Sequence, residues 1–197
     1  MPSFPDQDWG LAGGYETEVI SLRAGVFQGE PDGGLALGKA FDRVRGPFAL
    51  AQIQLTCGPE RYQGALTLGA WHSEDHFERL DRGSRSRRGA QGAYAVLDQW
   101  IWRPDPEGDQ GVGAFVQFGW APEDRTELWL YLGAGVRTKG LIPRRPQDVL
   151  GLAVYRAEFS RFLDLPRRAE YAFEALYQAQ ATPWLAIGLN GQLIHHP

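Results

Sequence analysis

The chain has 197 residues, a formal net charge of −4, and one cysteine. Its mildly acidic balance, with a pI near 5.6, excludes a broad nucleic-acid surface, and the lone Cys57 excludes an internal disulfide and cysteine-based metal spacing. Hydrophobic residues make up 43% of the chain, yet mean hydropathy is −0.35, so apolar side chains are interspersed with polar ones, and nothing approaches the roughly 18–20 apolar residues of a membrane helix.

In chain order, Met1–Trp9 has neither the basic start nor the apolar run of an export signal. Period-two alternation then dominates, in segments separated by turn signals. Tyr15–Phe27 sets Ile20, Leu22, Ala24 and Val26 against Ser21, Arg23 and Gly25. Phe48–Cys57 sets Ala51, Ile53 and Leu55 against Gln52, Gln54 and Thr56. Arg61–His72 sets Tyr62, Leu66, Leu68 and Ala70 against Arg61, Gln63 and Thr67. Gly92–Trp102 is less pure, with apolar residues on both faces near one end. Val112, Ala114, Val116, Phe118 and Trp120 oppose Gly113, Gln117 and Gly119.

Thr126–Thr138 is the cleanest case. Leu128, Leu130, Leu132, Ala134 and Val136 lie on one face, and Glu127, Trp129, Tyr131, Gly133, Gly135 and Arg137 on the other. Asp148–Phe159 is mixed. Ala169–Thr182 puts Tyr171, Phe173, Ala175 and Tyr177 opposite Glu170, Glu174, Gln178 and Gln180, and Leu185, Ile187, Leu189 and Leu193 oppose Asn190 and Gln192. Helical spacing would mix these sets around a cylinder, whereas strand spacing separates them. The expectation is an all-β, antiparallel up-and-down sheet of nine strands in one domain spanning residues 1–197.

Tight turns are expected at Gly58–Glu60 and Thr182–Trp184, and long polar loops at 28–47 and 73–91. Strand parity puts both long loops at one end and both tight turns at the other. Strands of ten or more residues suit an apolar band about 25 Å tall, whereas strands of soluble proteins average roughly five or six. The second face is rich in Glu, Gln, Arg and Gly, as a water-filled lumen requires. Trp71, Trp100, Trp102, Trp120, Phe159 and Trp184 fall near strand ends, where a membrane-interface girdle would lie. Together these favour a transmembrane β-barrel over the alternatives, a soluble sugar-binding β-sandwich or a glycan-active jelly-roll enzyme.

Three constellations invite other chemistry. His72-Ser73-Glu74-Asp75-His76 groups metal-ligand types, but a loop without supporting contacts holds such ligands poorly, and no metal or other cofactor is expected. Arg82, Arg85, Arg87 and Arg88 could meet lipopolysaccharide phosphates, although an ordinary solvated loop is the simpler account. Glu170 and Glu174, with Glu158 on the neighbouring strand, superficially suggest a glycosidase pair. Four residues along a strand is about 13 Å, too far for either glycosidase geometry. No enzyme is expected.

The segments Gly-Ala-Tyr-Ala-Val-Leu-Asp-Gln (92–99), Phe-Gly-Trp-Ala-Pro-Glu-Asp-Arg (118–125) and Lys-Gly-Leu-Ile-Pro-Arg-Arg-Pro-Gln-Asp (139–148) carry a resemblance. Val-Leu-Gly-Leu-Ala-Val (149–154), Tyr-Gln-Ala-Gln-Ala-Thr-Pro-Trp (177–184) and His195-His196-Pro197 continue it. In this order, over 92–197, the chain resembles the carboxy-terminal half of the carbohydrate-selective porin (OprB) family; Gly64–Trp71 is similar more loosely. The resemblance implies an outer-membrane barrel of sixteen strands in a Gram-negative bacterium. Such a barrel passes glucose, other small neutral sugars and ions, stands as a monomer or homotrimer, and contacts outer-membrane lipid and lipopolysaccharide. Measured against that pattern, the chain is expected to be a fragment lacking the amino-terminal strands and the final strand. A sugar passage needs weak, repeated contacts. The polar faces offer Arg23, Arg61, Asp98, Glu127, Tyr131, Arg137, Arg156, Glu158, Glu170 and Glu174 as channel-lining candidates.

Overall fold

The computed structural model describes residues 10–28, 46–81 and 86–195. Ten antiparallel strands follow one another: β1 (Gly10–Glu16), β2 (Ile20–Phe27), β3 (Phe48–Cys57), β4 (Gly64–Glu78), β5 (Ser86–Trp102), β6 (Gly111–Trp120), β7 (Leu128–Lys139), β8 (Val149–Phe159), β9 (Ala169–Thr182) and β10 (Leu185–His195). They form one sheet in strict chain order, and β1 and β10 are its two open edges among the described residues. The all-β, up-and-down architecture agrees with the alternation. Residues 1–9 and 196–197, most of the long 28–47 segment, and Arg82 and Arg85 of the arginine run lie outside the described residues.

Three expectations are corrected. The single strand at Tyr15–Phe27 is a hairpin, which raises the count from nine to ten. Its turn contains neither Gly nor Pro. Instead the Thr17 hydroxyl donates to Ile20 O at 3.0 Å and accepts the Val19 and Ile20 amides, so a side chain supplies the turn. The polar loop expected at 73–91 is largely strand, because β4 and β5 extend through it around a register shift between Ser73 and His76. His72-Ser73-Glu74-Asp75-His76 is therefore strand and not loop. The strand expected at Arg61–His72 begins only at Gly64, since Glu60–Tyr62 form a 3-10 turn.

The connections sort to two ends. Segments 17–19, 58–63, 103–110, 140–148 and 183–184 share one end, and segments 121–127 and 160–168 share the other with Phe27, Phe48, Glu78 and Ser86, which are ends of β2, β3, β4 and β5. The first is called the turn end below, the second the loop end.

The described part of the sheet has no apolar core. Among the described residues Ala90 and Ala121 are the only buried apolar side chains. The apolar face is the open one, with Val116 54%, Leu152 62%, Phe173 50% and Leu189 69% exposed. On β6 the pattern is inverted from that of a water-soluble protein, since Val116, Phe118 and Trp120 are exposed while Gly113, Phe115, Gln117 and Gly119 are covered to a greater degree. No second layer covers the apolar face among the described residues.

Candidate functional site

Residues directly opposed in an antiparallel pair point to the same face, so the registers place every side chain. One row across the polar face runs Arg23–Gln52–Gly69–Tyr94–Gly119–Tyr131–Ala157–Glu170. Nearer the turn end a second row holds Asp98, Phe115, Gly135, Ala153 and Glu174. One row further, Trp100, Gly113, Arg137 and Gly151 are opposed. Arg23, Asp98, Tyr131, Arg137, Glu170 and Glu174 thus share the polar face.

Contacts across this face hold side chains in fixed places. Tyr94 Oη donates to Gln52 Oε1 at 2.8 Å. Tyr131 stacks on Tyr155 with ring centroids 5.9 Å apart, and its hydroxyl reaches Gln117 Oε1 at 3.4 Å. Asn190 Nδ2 donates to Glu174. Arg137 pairs with Asp98 at 3.2 Å and lies 5.1 Å from the Trp100 ring centroid. Arg23 makes a loose pair with Glu16 at 3.8 Å, both largely exposed, so this pair contributes little to stability.

The other four candidates are not on this face. Arg61 lies in the 3-10 turn and donates to the carbonyls of Arg103 at 3.1 Å and Pro104 at 2.9 Å, bracing two turn-end connections. Glu127 precedes β7, in the 121–127 connection. Arg156 is opposed to Leu132, and Glu158 to Leu130, so both stand on the apolar face near the loop end. There they form an ion pair, with Arg156 5.7 Å from the Tyr171 ring centroid. Glu158 is therefore on the opposite side of the sheet from Glu170 and Glu174, which removes any carboxylate pairing between them.

Trp71 and Trp100, expected in an interface girdle, are on the polar face. Trp71 stacks against Phe48 at 5.9 Å, and Trp100 is opposed to Gly113. Trp102 and Trp120 do stand on the apolar face, opposed to Val112 and Leu130 respectively. From Val112 to Trp120 the strand rises about 26 Å, or roughly 20 Å after a tilt near 40°. Gln52, Tyr94, Gln117, Tyr155 and Asn190 also belong to the polar face and are absent from the sequence-based candidates. Their strand parity is the signal that could have found them.

At the turn end, Asp148 is 3% exposed. It accepts from Arg145, from Tyr177 Oη at 2.6 Å and from the Gln180 amide at 3.0 Å. The Arg145 hydrogen bond, seconded by Tyr177, holds its carboxyl below the usual carboxylate range. Because the folded value is the lower one, this clasp contributes fully above the ordinary carboxylate pKa of about 3.9. The contribution is lost as pH falls through the folded value. Asp148→Asn is expected to lower the urea midpoint at neutral pH and to flatten its fall between about pH 5 and 2. A variant as acid-sensitive as the parent would show that other carboxylates govern acid unfolding.

The family model of carbohydrate-selective porins, the OprB family, matches residues 1–197. Two solved structures of Pseudomonas putida OprB are similar in fold. The high-pH structure is 21% identical, with a TM-score of 0.81 over 95% of this chain and 53% of that one. The low-pH structure is 20% identical, with a TM-score of 0.67 over 98% of this chain and 52% of that one. The chain therefore spans about half the length of the structures it resembles. No curated protein matches it. With the match to the family model running the length of the sequence, and a ten-stranded sheet of the same architecture, the chain belongs to the carbohydrate-selective porin (OprB) family.

Proposed function

We propose that this chain forms part of the wall of a passive outer-membrane channel for small neutral sugars, glucose among them, in a Gram-negative bacterium, and that it performs no turnover. The observation that carries this reading is the inside-out sheet: an exposed apolar face bounded by Trp102 and Trp120, backed by a face of carboxylates, guanidiniums, amides and aromatic rings. In water, that much exposed apolar surface marks an interaction site or an aggregation liability. In hydrocarbon it is the solvated face, and the roughly 20 Å between Val112 and Trp120 fills most of the ~25 Å apolar band of a membrane barrel. The polar face suits sugars, since carboxylates and guanidiniums pair with hydroxyls while ring faces take the apolar side of a pyranose. Arg23, Asp98, Tyr131, Arg137, Glu170 and Glu174 are the residues we assign to the passage. The alternatives of a soluble sandwich or jelly roll require a second sheet over the apolar side chains.

The open edges bear on closure. Unpaired backbone groups each cost several kcal/mol in hydrocarbon, so we infer that further strands join β1 and β10 in the working channel. The test is a planar-bilayer recording of that assembled channel. Step-like conductance is expected, reduced by millimolar glucose added to either side as the sugar occupies the lumen. Conductance indifferent to every sugar tried would remove the carbohydrate part of the reading, and absence of any steps would remove the channel itself.

A further inference from the structure

On the polar face, large side chains repeatedly lie over a glycine of the adjacent strand. Tyr94 covers Gly69, where a methyl carbon would overlap Tyr94 Cζ, Cε1 and Oη. Across Gly69 the Tyr94 hydroxyl reaches Gln52, two strands away, at 2.8 Å. Tyr155 covers Gly133, where a methyl carbon would sit 2.9 Å from Tyr155 Cδ1. Arg137 crosses Gly113 to meet Asp98 and Trp100 on the strand beyond.

We propose that these polar-face glycines set the bore of the channel, because each is a recess in which a bulky side chain lies flat along the wall instead of standing into the passage. The inference rests on reading the polar face as the channel wall. Its physical basis is the geometry of the sheet. Side chains on a pleated sheet stand roughly perpendicular to it unless a neighbour leaves room. Adjacent strands are about 4.8 Å apart, so a Tyr can lie down across its neighbour only where that neighbour has no Cβ. Glycine costs strand stability. Here the loss is offset by ring contact over the bare backbone and, for Tyr94, by the hydrogen bond beyond it.

Not every glycine in the sheet does this. At Gly119, on the polar face of the interior strand β6, an added methyl carbon would meet only Tyr131 Cβ, at an ordinary 3.7 Å, so this position serves as a control for added volume alone. Gly135 and Gly92 are poor test sites because a methyl group there would also press on the carbonyls of Leu152 and Trp120. At Gly69 the obstacle is the far end of a side chain that can swing away, so Gly69→Ala is expected to fold.

The experiment compares the assembled channel carrying Gly69→Ala, Gly119→Ala, and Gly69→Ala combined with Tyr94→Ala, by single-channel conductance in planar bilayers. Tyrosine nitration by tetranitromethane, mapped by mass spectrometry, follows the exposure of Tyr94. The expected result is that Gly69→Ala lowers conductance by roughly 1.5-fold as a ring enters the lumen and raises Tyr94 nitration. Gly119→Ala should change neither, and the double variant should conduct at least as well as the parent. A conducting parent whose Gly69→Ala variant matches it in both readouts overturns the bore proposal and leaves the porin reading standing. Lowered conductance that the added Tyr94→Ala fails to relieve overturns it too, since the ring is then not the obstruction. A parent that passes no current overturns the porin reading, and the bore proposal with it.

Discussion

Val116→Arg is expected to destabilise the folded channel by about 2–4 kcal/mol, while Gln117→Arg, one residue along, leaves folding close to that of the parent. The contrast is sharp because Val116 is 54% exposed. In a water-soluble protein, a substitution at such a position usually changes stability by less than about 0.5 kcal/mol. Val116 is midway along the β6 run from Val112 to Trp120 and is opposed to Leu97 and Ala134, so its side chain falls near the middle of the apolar band. A guanidinium there has no aqueous partner within reach, and stretching toward the interface only partly relieves the cost. Gln117, opposed to Val96 and Gly133, points the other way, to the polar face. Urea midpoints in lipid vesicles, read by heat-dependent gel mobility, measure both variants. Equal tolerance at the two positions would refute the membrane placement.

Replacing Glu170 and Glu174 together by glutamine is expected to lower the cation-to-anion permeability ratio of the assembled channel by roughly two-fold, with folding retained. Glu170 shares its row with Arg23 and Tyr131, and Glu174 shares its row with Asp98. Arginines and carboxylates are therefore distributed at several depths, and removing two negative charges from one wall tips the local potential. Reversal potentials in a salt gradient give the ratio directly. An unchanged ratio would place both carboxylates off the conducting path.

Strand identity is legible in the sequence wherever two chemically distinct sets alternate. Phe48–Cys57 and Ala169–Thr182 have the same boundaries by alternation as in the structure. Ten strands exceed the expected nine because a hydroxyl, not Gly or Pro, makes the Thr17 turn. The polar stretch around His72–His76 resembles a loop because strands that rise past the apolar band no longer need an alternating face. Arg156 and Glu158 look like polar-face residues by their charge alone. Their parity with Leu150, Leu152 and Val154 already places them on the apolar face, and β8 is ambiguous only because Val149 and Ala153 blur its other side. Tyr155 escapes notice for the mirror reason, being an aromatic residue among small ones. Which polar groups touch across strands, such as Tyr94 with Gln52 or Arg137 with Trp100, depends on register. Alternation within a single strand does not carry register.

The strict chain order of the sheet has a consequence for how such proteins change over generations. Every described strand touches only its neighbours in chain order, so no pairing between distant strands of this sheet has to be rewired when the number of strands changes. A duplicated or deleted hairpin creates one new seam and leaves the other surviving ones as they were, much as a repeat can be added to a stacked array. Strands must come and go in pairs, because a single one would reverse the direction of everything after it and exchange the turn end with the loop end. Circumference in this architecture is a quantity that gene rearrangement can adjust in steps of one hairpin, without new folding instructions elsewhere in the chain.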